Sequence, residues 1–280
     1  MKTVADTLEV SRSNLAKRGG SGKPRRLYHK ADDAWLLPLI RRIADSRPTY
    51  GYRRVGALLN QELASQDKPP VNHKRVYRVM RQNRLLLARH TGRGRQVPHQ
   101  GKVVTLKSNQ RWCSDYFDIP CWNGETVRVA FALDTCDREA ISWVATTAGI
   151  SGEMIRDIMV AAVEARFGPV ERVPRPVEWL TDNGSCYTAS ETVSFALALG
   201  LAPCFTPVRS PESNGMAESF VKSFKRDYVF VSPRPEAASV LEQIAGWFQD
   251  YNEVRPHKGL RLLSPRQFIR RNLQTAECPI

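Results

Sequence analysis

The chain has 280 residues, 42% hydrophobic and 25% charged, which is enough apolar material for a sizeable core and excludes a wholly disordered chain. No apolar run approaches the roughly 18 residues of a membrane-spanning helix, and the N-terminus lacks the apolar stretch of a secretory signal, so a soluble intracellular protein is expected. The net charge of +14 is placed unevenly: residues 1–110 carry 24 Lys and Arg against 7 Asp and Glu, a net of +17, and residues 111–280 carry 18 against 21, a net of −3.

Such asymmetry points to a nucleic-acid-binding part joined to a near-neutral one. Residues 1–20 contain VADTLEVSRSNLAKR, which spaces apolar and polar groups as a small helix-turn-helix does, with Ser11 placed to cap its second helix. A flexible basic linker, KRGGSGKPRR, runs into residues 21–30. Residues 31–88 hold three helical patterns. In the first, Trp35, Leu36, Leu39, Ile40 and Ile43 form an apolar stripe, Asp32 and Asp33 stand where a helix N-terminus favours negative charge, and Pro38 interrupts the pattern. In the second, Val55, Leu58 and Leu59 share a face. In the third, Val76, Val79 and Met80 share a face, Asn72 is a candidate cap, and Lys74, Arg75, Arg78 and Arg81 lie around the rest of the helix. Three short helices with a basic last one fit a DNA-binding helix-turn-helix domain. Residues 89–110 read as a second basic linker.

From Arg111 the pattern changes to an α/β domain, residues 111–230, with a helical extension over 231–280. Three strands are expected first, turning at Trp122–Glu125 and Cys136–Glu139. A helix capped by Ser151 and stopped by Gly168 follows, then the apolar strand Val177–Thr181, a helix ending at Gly200, a short strand, and the helix that carries Glu218. The order β-β-β-α-β-α-β-α gives a mixed sheet flanked by helices. Six scattered cysteines form no CxxC pair, and the five histidines complete no zinc spacing with them, so reduced thiols are expected.

The carboxylates carry the candidate chemistry. On the helix after Ser210, Ala217, Phe220, Val221, Phe224 and Tyr228 share one face, and Glu218, Lys222 and Lys225 cluster on a neighbouring one. Glu212 lies in the preceding loop. A helix holds a side chain more firmly than a loop, so Glu218 is the better candidate of the two. Asp182 follows the strand Val177–Thr181 and precedes Asn183-Gly184, at a sheet end where sites form. Asp115 sits mid-strand on the face of Cys113 and Phe117, opposite Trp112, Ser114 and Tyr116. An ionised Asp there needs a partner, either a metal ion or a buried Arg. Carboxylate-only ligation suits a hard cation such as Mg2+.

Trp112-x-x-Asp115, Asp182-Asn183-Gly184 and Glu218, with 35 residues between Asp182 and Glu218, resemble the D,D(35)E signature of retroviral integrases and related bacterial transposases. Lys225, seven residues after Glu218, matches the basic residue of that signature. The stretches TYGYRRV (Thr49–Val55), VNHKRVYRVM (Val71–Met80), WLTDNGS (Trp179–Ser185), SPESNGMAESFVKSFKRD (Ser210–Asp227) and YNEVRPHKGL with a following SP (Tyr251–Pro265) together resemble OrfB-type transposases of the IS-three family of insertion sequences. The resemblance implies an RNase H-like integrase core in which Asp115, Asp182 and Glu218 are catalytic and hold two Mg2+ or Mn2+ ions. It implies hydrolysis at the element ends, then attack by the freed 3′-hydroxyl, with no covalent protein–DNA intermediate. Partners would be double-stranded DNA, as terminal inverted repeats and as target, and a second copy of the chain, with no membrane. The location would be the bacterial cytoplasm, on the nucleoid. Lys222, Lys225, Arg53, Arg54, Lys74, Arg75, Arg78 and Arg81 are the expected DNA contacts. Asp118 and Asp134 match no part of the triad and are expected to be structural, and Glu212 to shape its loop or touch DNA. A DNA-binding regulator with a catalytically inert integrase-like domain would share the helices and the charge. A nuclease for RNA–DNA hybrids would share the core but leaves the basic helical region without a purpose.

Overall fold

A computed structural model of the chain describes residues 31–88, 105–206 and 214–276, together with Thr3 and Thr7. The segment around Ser11, the 21–30 linker, residues 89–104 and the loop with Glu212 lie outside the described residues.

The described chain opens with α1 (Leu36–Ser46), α2 (Tyr52–Ala64) and α3 (His73–Gln82). Their apolar residues recur at helical spacing, so Leu36, Ile40 and Ile43 meet Val55, Leu59 and Leu63 from α2 and Val76, Val79 and Met80 from α3 in one core. Pro38 leaves α1 unbroken because it falls in the first turn, where its missing N–H forfeits no intrahelical bond. The Asn72 side chain caps α3 by accepting from the backbone N–H of Lys74. Trp35 departs from the expected stripe: it precedes the helix, is 47% exposed, and lies under the Arg75 guanidinium, 5.9 Å from its ring centroid. Asp33 acts through a contact rather than a helix dipole. It is buried, and Arg75 Nε (2.7 Å) and Arg78 Nη2 (2.6 Å) donate to it, tying the lead-in of α1 to α3.

Strands β1 (Arg111–Pro120), β2 (Thr126–Asp134), β3 (Ala140–Thr146), β4 (Val177–Thr181) and β5 (Leu201–Phe205) form one sheet in the order β3-β2-β1-β4-β5. β1, β2 and β3 pair antiparallel, whereas β4 pairs parallel to both β1 and β5. The crossovers are α4 (Gly152–Phe167), then the single turn α5 (Ser185–Thr188) with α6 (Ser190–Leu199). Helices α7 (Gly215–Asp227), α8 (Ala237–Glu253) and α9 (Pro265–Ala276) follow. Ser151 caps α4 by accepting from Met154 N–H, and Gly200 ends α6 at φ 82, where a Cβ would stand 2.8 Å from the Val173 side chain.

The strands alternate as their period of two requires. Cys113, Phe117 and Ile119 join Phe220 and Phe224 of α7 and Val240, Ile244 and Phe248 of α8 on one side of the sheet. Trp112 and Trp179 join Ile155, Met159 and Ala196 on the α4–α6 side. The three-helix unit rests on this core through polar contacts: Arg47 on Asp250, Thr49 and Arg54 on Asp227, and Gln61 on Gln267.

Candidate active site

Asp115 reaches its place because β1 alternates, and it faces the α7 side with Cys113 and Phe117 on either hand. The parallel register pairs Cys113 with Leu180. Carried on by two residues, it sets Asp115 level with Asp182, at the same end of neighbouring strands about 4.8 Å apart. The Asp182 Oδ1 accepts from Gly184 N–H at 3.0 Å, closing an Asx turn that holds the carboxylate just past the strand end. A Cβ at Gly184 would stand 3.0 Å from that oxygen. Glu218 lies in the first turn of α7, exposed, one residue after Ala217 and two before Phe220, which bury the helix against β1 and β2.

Burial, opposed by a hydrogen bond from Tyr116 N–H and joined by the negative charges of Asp182 and Glu218, raises the Asp115 carboxyl to about 6, so Asp115 lies in the field of both other acids. Among the described residues none of the three pairs with a Lys or Arg, and no three Asp, Glu, His or Cys side chains already stand as a metal cluster. Among the described residues no buried Arg therefore partners Asp115, and the donor set there is carboxylate-only. Asp118 is exposed, 3.8 Å from Arg128 Nε. Asp134 is fully buried and accepts from the N–H groups of Asn109 (2.6 Å), Cys136 (2.7 Å) and Asp137 (3.1 Å), which fixes the β2–β3 turn.

Residues 106–211 match the family described as Integrase core domain, residues 199–265 match a second family of the same description, and residues 30–93 match the HTH-like domain. The transposase InsD for insertion element IS2A/D/F/H/I/K of Escherichia coli is 49% identical over 275 residues, which cover 95% of this chain and 90% of that protein. InsD for insertion element IS2D of Escherichia coli strain K12 gives the same values. This chain belongs to the insertion-element transposase family. Its five-stranded mixed sheet with flanking helices is the RNase H-like integrase core, preceded by a helical helix-turn-helix region. Among solved structures it is similar to a chain of the simian T-cell lymphotropic virus intasome in complex with PP2A regulatory subunit B56 gamma (TM-score 0.49, 16% identity, 75% of this chain and 69% of that one). It is also similar to the catalytic core domain of BIV integrase (TM-score 0.40, 17% identity, 61% and 99%).

In this transposase-family chain the expected DNA-contacting cations fall into two groups. Lys74 and Arg81 on α3, Arg53 on α2 and Lys222 on α7 are exposed. Arg75 and Arg78 are held by Asp33, whose own carboxyl is opposed by burial but drawn below its usual range by the bonds and charges of both arginines. Arg54 bonds Asp227 at 3.1 Å, and Lys225 Nζ lies 5.5 Å from the Phe117 ring centroid. The pairing that sequence reasoning missed is centred on Asp227, the last residue of α7. Thr49 Oγ1 (2.8 Å), Arg226 Nε (2.7 Å), Arg255 Nε (2.8 Å) and Arg54 Nη1 all donate to it. These hydrogen bonds and charges overcome the desolvation penalty and hold its carboxyl far below the usual range. The only sequence signal was the SFKRD and RPHK stretches themselves, which carry the charges but not their pairing.

Proposed function

We propose that this protein is an OrfB-type transposase of the IS-three family, cutting insertion-element ends and joining them to target DNA with Asp115, Asp182 and Glu218 as catalytic residues. The support for this reading is the parallel register of β1 and β4, which when extended brings Asp115 and Asp182 to the same end of neighbouring strands, together with the charges of Asp182 and Glu218 acting at Asp115. The donor set suits hard cations, and the three carboxylates would hold Mg2+ or Mn2+, two ions per site, which when bound steady the attacking and leaving oxygens of an in-line displacement. The chain's own contribution is placement. The Asx turn at Gly184 aims Asp182, the apolar neighbours of β1 keep Asp115 partly dry, and α7 carries Lys222 and Lys225 one and two turns beyond Glu218 to meet DNA phosphates. The nucleophile is water in the first step and a 3′-hydroxyl in the second.

Residues 31–88 serve as the end-binding domain, 111–230 as the catalytic core and 231–280 as its helical extension. The DNA partners are the terminal inverted repeats and the target, engaged by a dimer in the bacterial cytoplasm on the nucleoid. The test is to incubate the protein with an element-end duplex and Mg2+ and to follow nicked and joined strands. Wild type should give both products and Asp182→Ala neither. Identical behaviour of the two would end the proposal, and end-specific binding without strand breakage would identify an inert regulator.

A further inference from the structure

A cavity of about 220 Å³ opens beside α7, between the start of α2, the β2–β3 turn and the stretch from Arg255 to Lys258. Six cationic side chains line it, Arg54, Arg138, Lys222, Arg226, Arg255 and Lys258, and no Asp or Glu does. Asp227 lies behind it, but three of those arginines already share that one carboxylate. Among the described residues Arg138, Lys222 and Lys258 pair with no carboxylate.

The packing accommodates these cations closely. The Arg138 guanidinium lies against Gly259, where a Cβ would fall 2.3 Å from its Nη2 and push the guanidinium aside. Arg255 is buried, with Nη1 3.1–3.2 Å from the His257 ring nitrogens. Burial, then the charges of Arg255, Arg138 and Arg54, hold His257 deprotonated far below its ordinary range. Burial, then the charge of Arg255, also lowers Arg54 against the pull of Asp227. Cations crowded in a part-buried cavity repel one another, and an anion of matching size relieves that cost.

We infer that this cavity, none of whose lining residues is one of the three carboxylates, is a phosphate-binding site which takes a backbone phosphate of bound DNA on Arg138, Lys222 and Lys258. The identity of the carrier as DNA rests on the transposase reading; the phosphate chemistry does not. The walls come from the helical unit through Arg54 and from the core through the other five residues, so a strand seated here touches both.

The test uses the full chain carrying Lys258→Gln and, separately, Arg138→Gln. Binding of a fluorescein-labelled end duplex is measured from about 50 to 200 mM salt, where each phosphate contact contributes about 0.9 to the slope of log affinity against log salt. Each variant should lose about one contact's worth of slope and bind several-fold more weakly at the low-salt end, and Lys258→Arg should keep the wild-type slope. If the DNA slope stays unchanged but inorganic phosphate saturably raises the wild-type melting temperature and not that of the variants, the site stands and its ligand is a free phosphate. Wild-type slope in both variants with no phosphate-dependent stabilisation in wild type overturns the inference. If Arg138→Gln does not fold, Lys258→Gln decides alone. Strand nicking is followed in parallel. A wild type that never nicks, yet loses slope on Lys258→Gln, would sink the enzymatic reading and leave the pocket intact.

Discussion

Replacing Asp115 with asparagine separates what this residue does for the fold from what it does for the chemistry. Its carboxyl is raised from 3.8 to about 6 by burial and by Asp182 and Glu218. The neutral acid is thus the form the fold prefers. That preference contributes stability fully below the unfolded value near 3.8, fades as pH climbs through about 6, and is gone above it. At pH 8 the ionised side chain then costs at most about 3 kcal/mol, and about 1–3 once its partial exposure to water is allowed for. Asparagine is nearly the same shape, can still accept from Tyr116 N–H, and carries no charge. In chelator at pH 8, D115N should unfold at higher urea than wild type by that margin, and the gap should narrow towards pH 4. Titrating Mg2+ into wild type should then recover stability by mass action, and D115N should respond weakly or not at all. The same variant should be unable to nick end DNA. A D115N protein no more stable than wild type at pH 8, or one whose advantage is the same at every pH, would refute the claim that Asp115 sits in a dry field of like charge.

Asp227→Ala should cost about 3–5 kcal/mol in urea unfolding, because it leaves the buried Arg255 without its carboxylate. Phe224→Ala should cost about 3–5 kcal/mol by the same measurement, since this fully buried ring packs on Phe117, Phe220 and Phe248. On α3, Lys74→Ala and Arg81→Ala should weaken duplex binding in fluorescence anisotropy more than Arg75→Ala does, by about 1–3 kcal/mol where a base edge is met, because Asp33 already engages Arg75. The opposite ranking would mean that Arg75 leaves Asp33 to reach DNA.

How far the sequence carried the structure depended on the range of the interaction. Repeating patterns were legible because they are local. The spacing of Leu36, Ile40 and Ile43, the alternation that turns Asp115 towards α7, and the caps at Asn72 and Ser151 each involve neighbours within a turn or a strand. The placement of Asp182 at a strand end was legible for the same reason. Pairings between distant segments were not. Asp227 draws Thr49 and Arg54 from one end of the chain and Arg255 from the other, and nothing in the period of α7 distinguishes it from a solvated helix-end acid. Asp33 was read as a helix-end charge because its partners, Arg75 and Arg78, lie more than forty positions on. The same blindness affects the arginines and lysines. In sequence, all the basic residues of residues 31–88 and of α7 look equally available to a phosphate. In the fold, carboxylates claim Arg54, Arg75 and Arg78, whereas Lys74, Arg81 and Lys222 face solvent. Net charge therefore announced a nucleic-acid partner correctly, but it counted cations already used to tie the helical unit together, Arg75 and Arg78, or to fasten it to the core, Arg54. The charge left over for DNA is the smaller, geometrically defined set, and that set determines the salt dependence of binding.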